Sequence, residues 1–364
     1  MELRTITNYL EKHAPLGSQE SYDNCGLLTG NPSSEVTGVL ISLDCTEEII
    51  DEAINCGANL VIAHHPVIFK GLKSLTGKNY VERTIIKALK NDVAIYAIHT
   101  NLDNYRFGVN EEIGRRLGLE NLKILAPKQR ELVKLIVFAP IEAADQVRNS
   151  LFSAGAGAIG NYEACSFNTT GEGTFTPTED STPTIGQHHQ ASNVREVKIE
   201  VICTTHQLNK VLQAMHHSHP YEEVAHDIIP LLNQNNYEGA GMIGDLPKPI
   251  NTLSFLKHVK ATFGCGAIKY TNIHKETIQK VAFCGGSGSF LVKNALQAKA
   301  DSYITGDMKY HEFFDAENRI IIADIGHFES EQYTPNLIHG ILKKKFINFA
   351  FYLSKVNTNP INYI

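Results

Sequence analysis

Short apolar runs that end in polar clusters constrain this chain more than any other feature. VTGVLISLD (36–44), NLVIAHHP (59–66) and VAIYAIHT (93–100) are continuous hydrophobic stretches. Each is followed by a segment of helical period: TEEIIDEAINCG (46–57), YVERTIIKALKND (80–92) and VNEEIGRRLGL (109–119). Unbroken apolar strands are expected where both faces of a parallel sheet are covered. Strand and helix in alternation predict an α/β layered domain. An amphipathic helix over 3–14 precedes them.

The pattern changes near Pro127. KLIVFAP (134–140), a helix at 143–154, VKIEVICT (197–204) and a helix at 206–217 form a smaller β-α-β unit. Between them, 160–190 is rich in Gly, Thr, Pro and Ser in its later half and reads as a long loop. The first kind of alternation resumes after Pro247, with a helix at 252–263, VAFCGG (281–286), a helix at 289–299, SYITGD (302–307), RIIIADIGH (319–327) and a final helix at 334–346. The simplest account is one α/β domain in two halves, 1–127 and 246–364, carrying a small domain inserted at 128–245. A length of 364 residues suits two to three domains, at about 150 residues each.

Four strand ends collect the chemistry. One carries His64 and His65, a second His99, Asn101 and Asp103, a third Asp307, Lys309, Tyr310 and His311, and a fourth Asp324, His327 and Glu331. Open α/β sheets bind ligands at the carboxyl ends of their strands. Imidazole with carboxylate suits Zn, Fe, Mn and similar divalent ions. Adjacent side chains on an extended chain point in opposed directions. His64 and His65 therefore fit two ions, one each, better than one. His327 and Glu331, four apart, share a face if a helix starts near His327, so that Glu331 can bridge two metals and Asp103 can complete the second. The expected cofactor is thus two divalent ions per chain, able to activate a water for hydrolysis.

Each piece alone has a plainer explanation: a solvated His pair, a turn, or a surface i,i+4 pair. The combination is what points to metal. CGGSGS (284–289) follows a strand and opens a helix, so the amides of Gly285, Gly286 and Ser287 are candidates for an anion cradle, with a tight turn as the competing reading. YDNCGLLTG (22–30) places an acceptor, Asp23, near the first strand, with structural and functional readings evenly balanced.

Other classes are excluded or disfavoured. No apolar run approaches a membrane span of about 18 residues, and the N-terminus lacks a signal-peptide core. A formal net charge of −6 disfavours nucleic acid as a partner, and the KKK run at 343–345 reads as a helix C-terminal end. Seven cysteines, an odd number without a CxxC pair, predict free thiols in a reducing, cytoplasmic setting.

Taken together, YDNCGL (22–27), LDCT (43–46), AHHP (63–66), HTNLD (99–103), CGGSG (284–288), TGDMKYHE (305–312) and DIGHFESE (324–331) resemble the NIF-three-like family, the GTP cyclohydrolase I type 2 homologues. The motifs run in the family's order along nearly the whole chain. Tyr22 departs from the family pattern, where Trp is frequent. YEACSF (162–167), GEGTFTP (171–177) and HPYEEVAHDIIPL (219–231) are similar to the middle domain of the longer members. The resemblance implies that this insert has an α+β, ferredoxin-like fold of the PII/CutA kind. It implies His64, His65, Asp103, His327 and Glu331 as ligands of a dinuclear site with Glu331 bridging, and a toroidal homohexamer. It also implies a metal-dependent hydrolase acting on a small molecule such as a nucleotide, with opening of the GTP imidazole ring and release of formate. In such a reaction His99 or His311 would shuttle protons, and Lys309 or the Gly285, Gly286 and Ser287 amides would receive a phosphate. The alternative is a metal- or ligand-sensing regulatory protein without turnover.

Overall fold

Two hydrogen-bonded sheets carry the larger part of the chain. The structure is a computed structural model and describes residues 1–364. In the first sheet the order is Gly26–Thr29, Ala94–Ala97, Leu60–Ala63, Val39–Ser42 and Phe351–Leu353. All pairings are parallel except that of Gly26–Thr29. The second sheet runs Lys269–Tyr270, Ile321–Asp324, Ser302–Gly306, Thr277–Ser287, Gln234–Asn251 and Glu120–Gln129. Its three middle strands, 277–287, 302–306 and 321–324, are parallel.

Side-chain alternation along these strands sorts residues to opposite faces. Ile41, Ile62 and Tyr96 join Phe283, Ile304 and Ile321 in one core, with the helices Leu3–His13, Val109–Arg116, Thr252–Phe263 and Thr334–Lys345. Their neighbours Leu40, Val61 and Ile95 face the other way, onto Glu47–Asn55 and Tyr80–Lys90. Ala282, Tyr303 and Ile322 likewise pack on Val292–Gln297. Strands covered on both faces explain the unbroken apolar runs. Each fully buried Ile or Val contributes about 2 kcal/mol of transfer free energy.

The two halves exchange edge strands. Phe351–Leu353, from the end of the chain, pairs with Val39–Leu40–Ile41. Glu120–Gln129, from the first half, closes the second sheet.

The chain divides into two compact units, 1–127 with 237–364, and 128–236. Residues 237–245, read from the sequence as the end of the insert, belong to the larger unit because Met242–Asp245 pairs with Phe283–Lys280. The smaller unit has the order strand Leu132–Pro140, helix Ile141–Ser153, strands Phe167–Phe175 and Ser192–Thr204, helix Leu208–Ser218 and strand His226–Pro230. Its antiparallel sheet runs 167–175, 192–204, 132–140, 226–230. This βαββαβ order is ferredoxin-like, and Leu135, Val137, Ile199 and Val201 pack with Val147, Leu151, Val211 and Met215. The long loop expected at 160–190 is shorter than the sequence suggested. FNTTGEGTF forms a strand over 167–175 despite its glycines, since Thr and Phe favour the pleat and nine residues pair with Ser192–Glu200. No helix is long and apolar enough to cross a membrane.

Candidate metal centre

The carboxyl ends of five parallel strands supply the cluster. Leu60–Ala63 delivers His64 and His65 in the two residues beyond it. Ala94–Ala97 leads to His99 and then to the short helix Thr100–Asp103. Val39–Ser42 places Asp44, Ser302–Gly306 places Asp307, and Ile321–Asp324 leads to the helix His327–Glu331. Because Ser42, Ala63 and Ala97 are in register, their extensions emerge at one level. His64 and His65 lie just past the strand end with ring centroids 4.9 Å apart, and they are anchored on opposite sides, His64 to Ile98 and His65 to Asp44.

Two triads form around one carboxylate. His64, Asp103 and Glu331 are one, and His65, His327 and Glu331 the other, with ligand atoms in each within 4.8 Å of one another. Glu331 Oε2 lies 2.9 Å from His65 Nε2, 3.1 Å from His327 Nε2 and 3.8 Å from His64 Nε2. The helix starting at His327 puts it on the same face as Glu331, as the spacing of four requires.

Every ring has its Nδ1 committed behind it. His64 Nδ1 donates to the Ile98 carbonyl at 2.8 Å. His65 Nδ1 is 2.7 Å from Asp44, His327 Nδ1 2.7 Å from Asp307, and His99 Nδ1 2.9 Å from Asp23. Such partners fix ring orientation and leave Nε2 to face the cluster, the usual arrangement behind a metal ligand. Asp44 is itself held by the Thr358 hydroxyl at 2.5 Å. Asp23 accepts from the Thr100 amide and hydroxyl and from the Asn24 amide, and is held well below the usual carboxylate range: burial opposes this, but His99 and Thr100 outweigh it.

Electrostatics describe a site built for cations. Burial and the Glu331 charge push the Asp103 carboxyl up. Burial also disfavours Glu331, yet the charges and hydrogen bonds of the histidines hold it well below its usual range. His65 and His327 are desolvated, but their carboxylates raise them to about 9 and about 11. Two atoms have no hydrogen-bond partner: His64 Nε2 and Asp103 Oδ1, both buried and 3.5 Å apart. His64 Nδ1 is engaged by Ile98, so Nε2 is the ring atom left facing a carboxylate oxygen. A divalent cation satisfies both, and the His/carboxylate set suits Zn, Fe or Mn. The residues present therefore fit a metal.

The remaining sequence candidates separate. His99 sits beside the cluster, 5.2 Å from the His64 ring and 5.4 Å from the His65 ring. His311 packs on Tyr310 and Phe314 and makes no ring contact or hydrogen bond with the cluster. Lys309 is exposed, and its amide donates to Glu312. The Gly285 and Gly286 amides are not open donors. They are taken by Asn110 Oδ1 at 3.0 Å and Ser330 Oγ at 2.9 Å. Ser287 pairs with Gly306 in the sheet. The glycines serve close approach instead. Gly286 has φ +61°, and a Cβ there would collide with Glu331 Oε1. Asn110, unsuspected from sequence, ties the halves together by donating to the Asp103 carbonyl while accepting from Gly285. Asp44, Asp307 and Asp23 are in the quoted motifs, but only packing reveals which histidine each supports. All seven cysteines are free.

A two-part α/β sheet system with a ferredoxin-like insert and a His/carboxylate cluster that could hold metal is the class of protein defined here. Residues 1–360 match the family described as Duf34/NIF3 (NGG1p interacting factor 3), and the chain belongs to that family. It is 41% identical over 366 residues to the GTP cyclohydrolase 1 type 2 homolog of Halalkalibacterium halodurans, covering 99% of this chain and 98% of that one. A Staphylococcus epidermidis protein of the same name is 35% identical, with full coverage of both. Among solved structures, a Bacillus cereus protein related to NIF3 superposes with a TM-score of 0.85 at 37% identity, covering 100% and 99% of the two chains.

Proposed function

We propose that the cluster holds two divalent metal ions bridged by Glu331 and that the protein is a metal-dependent hydrolase of the GTP cyclohydrolase type. The observation that carries the reading is the pair of triads sharing one carboxylate, with an unpartnered nitrogen and oxygen facing each other in one of them. The names of the relatives support the substrate class. In this reading His64, Asp103 and Glu331 hold one ion, and His65, His327 and Glu331 the other. Bound there, such ions supply Lewis acidity and an activated water.

The chain's own residues orient and buffer that chemistry. Asp44 and Asp307 keep the His65 and His327 rings in place. Asp23 holds His99 by Nδ1, which makes its Nε2 the atom able to accept or return a proton beside the cluster. The toroidal homohexamer implied by the family resemblance and the cytoplasmic setting read from the composition and cysteines belong to the same proposal, and sedimentation velocity tests the first.

Elemental analysis of the purified protein, with formate release from GTP measured in parallel, tests the reading. Two ions per chain and multiple turnovers, both lost in Glu331→Gln, are expected. Metal without turnover across a nucleotide panel would replace the hydrolase by a binding protein.

A further inference from the structure

The inserted unit, taken by itself, contains a cavity of about 620 Å³ for which the metal chemistry has no use. That volume lies in the range of small-molecule sites, about 300–1,000 Å³. Its apolar lining includes Phe138, Phe175, Ile185 and Tyr221. The connection after the strand Phe167–Phe175 is fastened rather than loose. The Thr182 amide donates to Glu222 at 2.6 Å, the Thr184 hydroxyl to the Pro220 carbonyl at 2.9 Å, and the His189 amide to the Pro177 carbonyl at 2.9 Å. The cavity is therefore preformed, which reduces the ordering cost of filling it.

Its charge is predominantly negative. Glu172, Glu196, Glu222 and Glu223 all line it, against a single cation, Lys198. Lys198 is spent elsewhere: its Nζ lies 2.6 Å from Glu200, which also takes Lys134 at 2.7 Å. Glu196 has no cationic partner. Space for its carboxylate comes from Gly173, where a Cβ would collide with Glu196 Oε2. Beside it the Tyr221 hydroxyl is buried against the Glu196 carboxylate. Burial, the Glu196 charge and a hydrogen bond to Glu196 push that hydroxyl up to about 12, so it remains a neutral donor at physiological pH. The Tyr221 and Phe175 rings stand 6.3 Å apart, and aromatic faces attract cations.

We propose that this cavity binds a small organic ammonium compound with a flat apolar body, its charge at Glu196 and its body among Phe138, Phe175, Tyr221 and Ile185. An anion would meet four carboxylates there, and a neutral apolar molecule would leave Glu196 without a counter-charge. The site is independent of the metal reading.

Isothermal titration of the full-length protein with tryptamine tests it, with indole-3-propionate as the anion of similar shape. Saturable tryptamine binding that weakens about tenfold or more in Glu196→Gln is the expected result. Tyr221→Phe, which keeps the ring, should weaken it less, and Glu331→Gln should leave it unchanged. Thermal melts of the two insert variants matching the parent exclude loss of fold. Indole-3-propionate binding as tightly as tryptamine, no loss in Glu196→Gln, or no saturable binding at all would each overturn the proposal. Binding only when the protein dissociates into smaller species would assign the cavity to a second copy of the chain and overturn it as well.

Discussion

The two triads around Glu331 are built on opposite principles. On one side His64 is fully buried, backed by a neutral carbonyl, and its Nε2 faces Asp103 Oδ1 at 3.5 Å with neither atom hydrogen-bonded. On the other, His65 and His327 are partly exposed, each backed by a carboxylate that favours the charged ring. Without metal the first side leaves a buried nitrogen and a carboxylate oxygen with no hydrogen-bond partner, while the second pairs its rings with carboxylates. On the proposed metal reading, one half of the site would gain its stability from a cation, and the other half would release protons to receive one.

Glu331→Gln should break the comparison entirely, since both triads lose their shared oxygen. Metal content is expected to fall from about two ions per chain to below one, read by elemental analysis. Asp103→Asn should separate the sides. It is expected to remove one ion, leaving about one per chain, while raising the thermal stability of the metal-free protein. That gain should amount to about 1.4 kcal/mol for each pKa unit by which the fold raises Asp103. The sign follows from the direction of the shift. A carboxyl raised in the folded state costs stability as pH rises from its unfolded pKa through its folded one. The metal-free parent should thus weaken over that range, and the variant should not; pH-dependent melts decide.

Asp44→Asn sharpens the other side. It removes the carboxylate behind His65, and a loss of about 10- to 100-fold in affinity for the more weakly held ion is expected by competition with a chelator. Protons give a subtler effect. Because His65 and His327 are raised to about 9 and about 11 in the metal-free protein, affinity should climb as pH rises from 6 to 8. Calorimetry in buffers of different ionisation enthalpy should register proton release. The smallest effect belongs to Thr358→Val, which frees one oxygen of Asp44 and should weaken metal about threefold.

Much of this was legible in the sequence because its logic is local. Apolar runs such as LVIA and IIAD mark buried parallel strands, and a ligand just past a strand end is a short-range signal. His327 and Glu331 share a helix turn for the same reason. What escaped depends on distant pairing. The edge strand Glu120–Gln129 has mixed burial and no clean period. The FNTTGEGTF strand is hidden by its glycines and by exposure along most of its length. Gly285 and Gly286 carried the signature of an anion cradle, but Asn110 and Ser330 already occupy their amides, a fact that only tertiary packing supplies. Asp44 could be quoted from LDCT, but not assigned to His65, 21 residues on, without the register of the two strands.

The strand Phe351–Leu353 and the Thr358 hydroxyl have a consequence for timing during synthesis. The first sheet lacks its edge, and Asp44 its second partner, until residues more than three hundred positions later have left the ribosome. Glu331 arrives nearly as late. If the cluster binds metal as proposed, the nascent chain forms its strands early but lacks the ligands to seize an ion tightly, so capture would be postponed to a nearly finished polypeptide, and a ribosome that stalls short of residue 331 would yield a fragment with little claim on the cell's metal supply.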